Sequence, residues 1–314
     1  MGMPIDTLAQ DGYDEFGLLH ENAEEWGLAL ESAPIVRRGV VEVDAGNWLS
    51  YIRWGDDEPE LVFLHGGGQN AHTWDTVALA LGRNAIAVDL PGHGHSYRRA
   101  DRDYGPWRNA TAVERAVERL APKAAAVVGM SLGGATTMRL AGTRPDLCRR
   151  VVIVDITPQV NDPSREMTTF ERGSVALISG PPTYASFDEM ADAAVSLSPY
   201  RAASGVRRGV RHNSYQRDDG LWTWRYDLFG ERPPEAKEAL DFRTLWEDVS
   251  RITSPTMLVR GALSKYVYDE DVEEMRRRIP SLRYELVDGA GHAVQSDRPL
   301  DLARLVDSFV FGSA

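Results

Sequence analysis

Short apolar runs alternate along the chain with longer amphipathic stretches. Residues 61–64, 85–88, 124–128, 151–154, 256–259 and 284–287 are mostly apolar, with little of the in-and-out alternation of a half-exposed strand. Such runs are expected of parallel strands buried on both faces by helices. The intervening stretches at 73–81, 110–120, 132–143, 269–278 and 299–311 carry helical periodicity and fill the gaps between those strands. Ahead of them, 35–43 and 47–54 read as two strands joined by a turn at Asp44, Ala45 and Gly46, an antiparallel edge hairpin. Residues 1–34 are acidic, with a short helix expected over 21–30. They form an arm that is either packed on the main body or partly disordered.

Between Asp155 and about Leu245 the strand-and-helix rhythm stops. Pro158, Pro163, Pro181, Pro182, Pro199, Pro233 and Pro234 divide this interval, and each restricts its own backbone and that of its predecessor. Brief helical pieces are expected there, forming a lid. The domain organisation that follows is an arm over 1–34, a core built from 35–156 and 245–314, and a helical lid over 157–244.

The chain has 314 residues, 43% of them hydrophobic and 26% charged, and no apolar stretch of the about 18 residues that a membrane-spanning helix needs. The first ten residues lack the basic start and apolar segment of a secretory signal, so the expected compartment is the cytoplasm. A single cysteine, Cys148, has no disulfide partner in the chain and reads as a small core filler. The formal net charge of -12 argues against nucleic acid or an anionic membrane as partner, and says little about a small substrate.

Three local patterns carry chemistry. Gly129, Met130, Ser131, Leu132, Gly133 and Gly134 follow one apolar run and precede a helical one. A strand that turns abruptly into a helix needs small residues on both sides of the turn, and the turn pushes Ser131 out at the sheet's carboxyl edge. His65, Gly66, Gly67 and Gly68 follow another strand, where backbone amides can face the same space. The amides of Gly67 and Leu132 are the candidate donors for an oxyanion formed above Ser131. Of the seven histidines, only His292 lies in a glycine-flanked loop between the last strand and the last helix, at the edge where strand ends converge. His65 reads as structural, and His20, His72 and His212 have no comparable setting. His93 and His95 lack the further ligand that a metal pair requires, so no metal or cofactor is expected.

These motifs, together with Asp89, Leu90, Pro91, Gly92, His93, Gly94, His95, Ser96 and with Gly289, Ala290, Gly291 before His292, resemble in order and spacing the α/β-hydrolase superfamily over residues 35–314. The resemblance implies a doubly wound, mostly parallel eight-stranded sheet with a helical lid inserted after the sixth strand. It also implies a Ser-His-acid triad. Relatives with epoxide or haloalkane substrates carry aspartate at the elbow, whereas Ser131 suits acyl transfer. In many relatives the acid sits in a G-x-x-D turn after the penultimate strand; here that stretch reads Gly261, Ala262, Leu263, Ser264, Lys265, with no carboxylate. Asp155, at the end of 151–154, is the candidate acid, with Asp269 as the alternative.

Met130, Trp222 and Trp224 are the candidate substrate contacts. The lid also carries Phe170, Tyr184, Phe187, Tyr215 and Tyr226 with Arg207, Arg208, Arg211 and Arg225, which either line an acyl pocket or form the lid's own core and solvated surface. The expected activity is hydrolysis of a carboxylic ester, as a carboxylesterase-like enzyme acting on a small acyl substrate. Lactone, thioester and carbon–carbon bond cleavage are variants on the same triad. A ligand-binding receptor on the same scaffold is the reading from another class, and self-association is left open.

Overall fold

The computed structural model describes residues 13–30, 32–161, 165, 167–227 and 241–312. Pro163, Pro233 and Pro234 lie outside them. Eight strands form the main sheet: β1 (Val36–Asp44), β2 (Asn47–Trp54), β3 (Leu61–Leu64), β4 (Ala85–Val88), β5 (Ala126–Met130), β6 (Val151–Val154) and, after an insertion with three short strands, β10 (Thr256–Gly261) and β11 (Arg283–Val287). Their order is β1-β2-β4-β3-β5-β6-β10-β11. The hairpin β1–β2 joins the sheet antiparallel to β4, and every other pairing is parallel.

Alternate residues of the buried strands feed two separate cores. Val62, Leu64, Val127, Val151 and Ile153 pack on one face against Val113, Val117, Met138 and Leu140. Leu61, Phe63, Val128, Val152 and Val154 pack on the other against Trp74, Val77, Leu302 and Val306. This two-sided burial is why the strands read as unbroken apolar runs. Cys148 lies in the first core, and burial pushes its thiol up to about 12.

The elements follow the sequence pattern with shifts that have local causes. The strand expected at 124–128 runs instead over Ala126–Met130, because the Ala124 amide closes a turn onto the Ala121 carbonyl. The strand therefore leads straight into Ser131 without a linker. The helix expected at 73–81 opens as a tight turn, Ala71–Trp74, capped by the Asn70 side chain, and becomes α-helical over Asp75–Leu81. The helix expected at 110–120 starts earlier, at Pro106, whose fixed backbone suits a first turn. In the arm, the helix spans Leu19–Glu25 and stops ahead of Gly27, which takes a left-handed φ of 63°.

The insertion after β6 is not purely helical. Beside helices Phe187–Ser196 and Ala203–His212 it holds an antiparallel sheet of β7 (Thr183–Tyr184), β8 (Ser214–Gln216) and β9 (Trp222–Trp224), ordered β7-β9-β8. Strands of two or three residues cannot express a period. The turn between β8 and β9 has Gly220 at a φ of 82°. Tyr184, Met190, Val206, Val210, Trp224 and Tyr226 form this unit's own core.

The arm ties the two units together. Glu15 pairs with Arg38 of β1 at 2.5 Å, and Arg38 reaches Asp89 at 2.8 Å. Arg208 of the insertion donates to Asn22 at 2.9 Å and pairs with Glu25. His72 sits at the junction, with Nδ1 2.9 Å from Asp75 and Nε2 3.0 Å from Glu15. Burial opposes its charge, but the two carboxylates outweigh that cost and raise its pKa to about 9. The elbow is held by close backbone approach. A Cβ on Gly133 would lie 2.2 Å from the Leu64 carbonyl oxygen, and one on Gly129 2.3 Å from that of Gly133.

Two outcomes are expected. Gly133→Ala lowers the unfolding free energy by about 1–3 kcal/mol through overpacking, read as a lower denaturant midpoint at unchanged slope. Gly67→Ala, whose Cβ meets only Ile178 at 3.7 Å, stays near wild type; equal costs would contradict the close-approach account. Because the folded pKa of His72 lies above its unfolded value of about 6.5, the charged junction stabilises fully below that pH and is lost as pH rises through about 9. Melting temperatures of wild type and His72→Gln should therefore differ most near pH 6 and converge by pH 10. Parallel profiles would dismiss the junction.

Candidate active site

The register of the sheet brings distant residues to one edge. Leu64 pairs with Gly129, Met130 with Val154, Val154 with Val259, and Gly261 with Val287. The residues that leave these strands at their carboxyl ends, His65 to Gly68, Ser131, Asp155, Ser264 and His292, therefore converge. Ser131 takes φ 51° and ψ -116°, a left-handed conformation rare for a residue with a side chain, and its amide is held by the Val154 carbonyl at 3.1 Å. Asp155 also has a φ of 51°, and its amide donates to the Val259 carbonyl at 2.8 Å.

Ser131, His292 and Asp155 form one hydrogen-bonded chain. Ser131 Oγ is 3.0 Å from His292 Nε2, and His292 Nδ1 is 2.7 Å from Asp155 Oδ2. With Nδ1–H donating to Asp155, Nε2 is left to accept the serine proton. Asp155 is fully buried, and its other oxygen accepts the Gly261 amide at 2.9 Å. Ser264 Oγ also donates to Oδ2, and itself accepts the Tyr266 amide at 3.1 Å. The Tyr266 ring lies flat on His292, with centroids 3.6 Å apart. The alternative acid does not reach the histidine: Asp269 has a side chain 94% exposed and pairs with Arg260 at 2.6 Å at the start of its helix.

Two amides near Ser131 in the chain path lack partners. Among the described residues the Gly67 N–H has no hydrogen bond, and the Leu132 N–H, first in helix Leu132–Thr143, has no preceding turn to donate into. The neighbouring amides are occupied: Gly66 N–H donates to Gln69 Oε1 at 3.0 Å and Gly68 N–H to His93 Nε2 at 3.1 Å. His93 is kept neutral, its pKa pushed down to about 3 by burial and by His65, which suits it as an acceptor. His65 is structural, lying between the Gly66 carbonyl and the Leu90 amide. His72, Asp75 and His212 present ligand atoms within 4.8 Å of one another. The two imidazoles are stacked 3.9 Å apart at 13°, so their in-plane lone pairs run parallel instead of converging on an ion.

A cavity of about 160 Å³ opens onto Ser131 between the core, the arm and the insertion. Met130 and Trp224 line it, as do Ile178 and Tyr226. Trp222 does not; it packs edge-on against Phe187 at 5.3 Å and under Arg211, within the insertion. Arg207 and Arg225 also have partners there: Arg207 pairs with Asp188 and Asp192, and Arg225 donates to the Ser214 carbonyl. No helix among the described residues is long and apolar enough to cross a membrane.

Three residues escaped the sequence reading. At Ser264 the sequence shows only a missing carboxylate; its hydroxyl beside Asp155 becomes a signal only with Asp155 taken as the candidate acid. His93 gave no hint of its hold on the glycine loop, and Tyr266 had no pattern of its own.

The model of the α/β hydrolase fold matches residues 59–299. The chain is 46% identical over 299 residues to esterase Rv0045c of Mycobacterium tuberculosis, covering 94% of this chain and 95% of that one. It is 30% identical over 261 residues to the mouse sn-1-specific diacylglycerol lipase ABHD11, covering 80% and 81%. A crystal structure of the M. tuberculosis esterase superposes with a TM-score of 0.80 at 42% identity, covering 95% of this chain and 98% of that one. E-2-(acetamidomethylene)succinate hydrolase, at 24% identity, shares the fold with a TM-score of 0.72, covering 88% and 99%. The chain belongs to the α/β-hydrolase fold family.

Proposed function

We propose that this protein is a serine hydrolase that cleaves carboxylic esters through an acyl-enzyme, with residues 157–244 acting as the lid over its site. The observation that carries the reading is the unbroken chain from Ser131 Oγ through His292 to Asp155 beside two unpartnered amides. His292 Nε2 takes the Ser131 proton as the hydroxyl attacks the ester carbonyl. The oxyanion of the tetrahedral intermediate rests on the amides of Gly67 and Leu132, each such donor contributing about 3 kcal/mol to barrier reduction. His292 then returns the proton to the departing alcohol. Water repeats the sequence on the acyl-serine and restores Ser131. Asp155 fixes the imidazole tautomer and stabilises the imidazolium, and is itself aimed by Gly261 and Ser264. The similarity to the mycobacterial esterase supports the choice of esters among acyl substrates.

Hydrolysis of p-nitrophenyl esters of increasing acyl length, run beside Ser131→Ala, tests this reading. Turnover by wild type and its loss in the variant are expected; turnover that survives the variant rejects it. Asp155→Asn should lower kcat by about three to four orders of magnitude with the fold intact. Ser264→Ala should lower kcat by about tenfold at little-changed KM, the scale of one hydrogen bond to a charged group. An unchanged kcat would leave Ser264 without a part in orienting the acid.

A further inference from the structure

We propose that Arg201 is the counter-charge for a carboxylate carried by the ester substrate, so that the enzyme prefers anionic esters. The inference rests on the esterase reading above. Arg201 lines the same cavity as Ser131, and the other charged groups there are engaged. Arg208 is held by Asn22 and Glu25, and Asp75 by His72. Arg201 is not engaged in the same way. Its Nη2 donates to Ser198 Oγ at 2.9 Å, while its Nε, buried, has no hydrogen-bond partner. The nearest carboxylate oxygen, on Asp297, is 3.4 Å from Nε, and the other oxygen of Asp297 already accepts the Gly291 amide at 2.8 Å.

Partial burial lowers the pKa of Arg201, with Asp297 and Glu25 only partly offsetting it; Arg38, more deeply buried but closely paired with Asp89 and Glu15, moves the other way. A guanidinium presents a planar fork of donors that matches a carboxylate, and one left short of partners in a half-buried cavity gains from such a ligand. Its place is also defined. Asp297 links it to the Gly291 backbone, next to His292, and the neighbouring Tyr200 ring packs beside Gly291. A carboxylate on either the acyl or the alcohol part of an ester remains to be assigned to it, because both parts flank the serine. The net charge of -12 repels anions at long range, so the preference is expressed at fixed, moderate ionic strength.

Three substrates separate the cases: p-nitrophenyl butyrate, which is neutral; mono-p-nitrophenyl glutarate, anionic on the acyl side; and 5-butyryloxy-2-nitrobenzoate, anionic on the leaving group. Arg201→Gln is expected to lower the ratio of kcat/KM for one anionic ester to that for the neutral ester by about tenfold or more, mainly through KM, and Arg201→Lys to restore part of it. If both esters decline together, Arg201 is only a strut to the His292 loop and the proposal fails; an unchanged ratio also overturns it. Binding of monomethyl glutarate and of butyryl glycolate to Ser131→Ala, by calorimetry, gives a readout free of turnover. Weakening of one of them by the added Arg201→Gln change supports the proposal even if the esterase reading falls, and no binding of either by the parent sinks it. Absence of Ser131-dependent hydrolysis of all three esters counts against the esterase reading alone.

Discussion

A carboxylate with no exposed surface must find all its partners inside the protein, and the site is arranged around how Asp155 does so. Its side chain meets the Gly261 amide, the Ser264 hydroxyl and His292, which come from the end of β10 and from the loops that follow β10 and β11. Those loops are in place because the parallel register stacks β6, β10 and β11 side by side with their carboxyl ends aligned. The left-handed backbone at Asp155 turns the chain out of the sheet and into the insertion at that point. Satisfying one buried group thus holds His292, whose other ring nitrogen lies 3.0 Å from the Ser131 hydroxyl.

The elbow obeys a similar constraint from the other side. Ser131 is strained in backbone and can be held there only because Gly129 and Gly133 allow strand, turn and helix to approach β3 almost to backbone contact. The same approach sets the start of the glycine loop after β3 beside the helix start. His93, neutral because it is buried, fixes the third amide of that loop and leaves Gly67 unspent.

What could be read from the sequence follows from length and periodicity. The buried parallel strands and the helices between them were legible because each is long enough to show its pattern and packs on both sides of one sheet. Ser131 and His292 were legible because glycine-rich turns at strand ends are local. Asp155 was reached through the missing carboxylate at Ser264; it directly follows β6, the strand beside the one that leads into Ser131. The short sheet of the insertion was not legible, since three-residue strands carry no period, and aromatic content alone could not separate Trp224, on the cavity, from Trp222, inside the insertion. Contacts made across the arm, such as Glu15 with His72 and Arg38, join residues far apart in sequence and leave no local trace.

The central claim is that Ser131 is a nucleophile activated through His292 by Asp155. Intact-mass measurement after exposure to diethyl p-nitrophenyl phosphate tests it most directly, because phosphorylation of the nucleophile needs activation but no deacylation. A single adduct that maps to Ser131, absent in Ser131→Ala and formed far more slowly in His292→Ala, is the predicted result. Modification elsewhere, or at Ser131 with a rate indifferent to His292, would contradict the account.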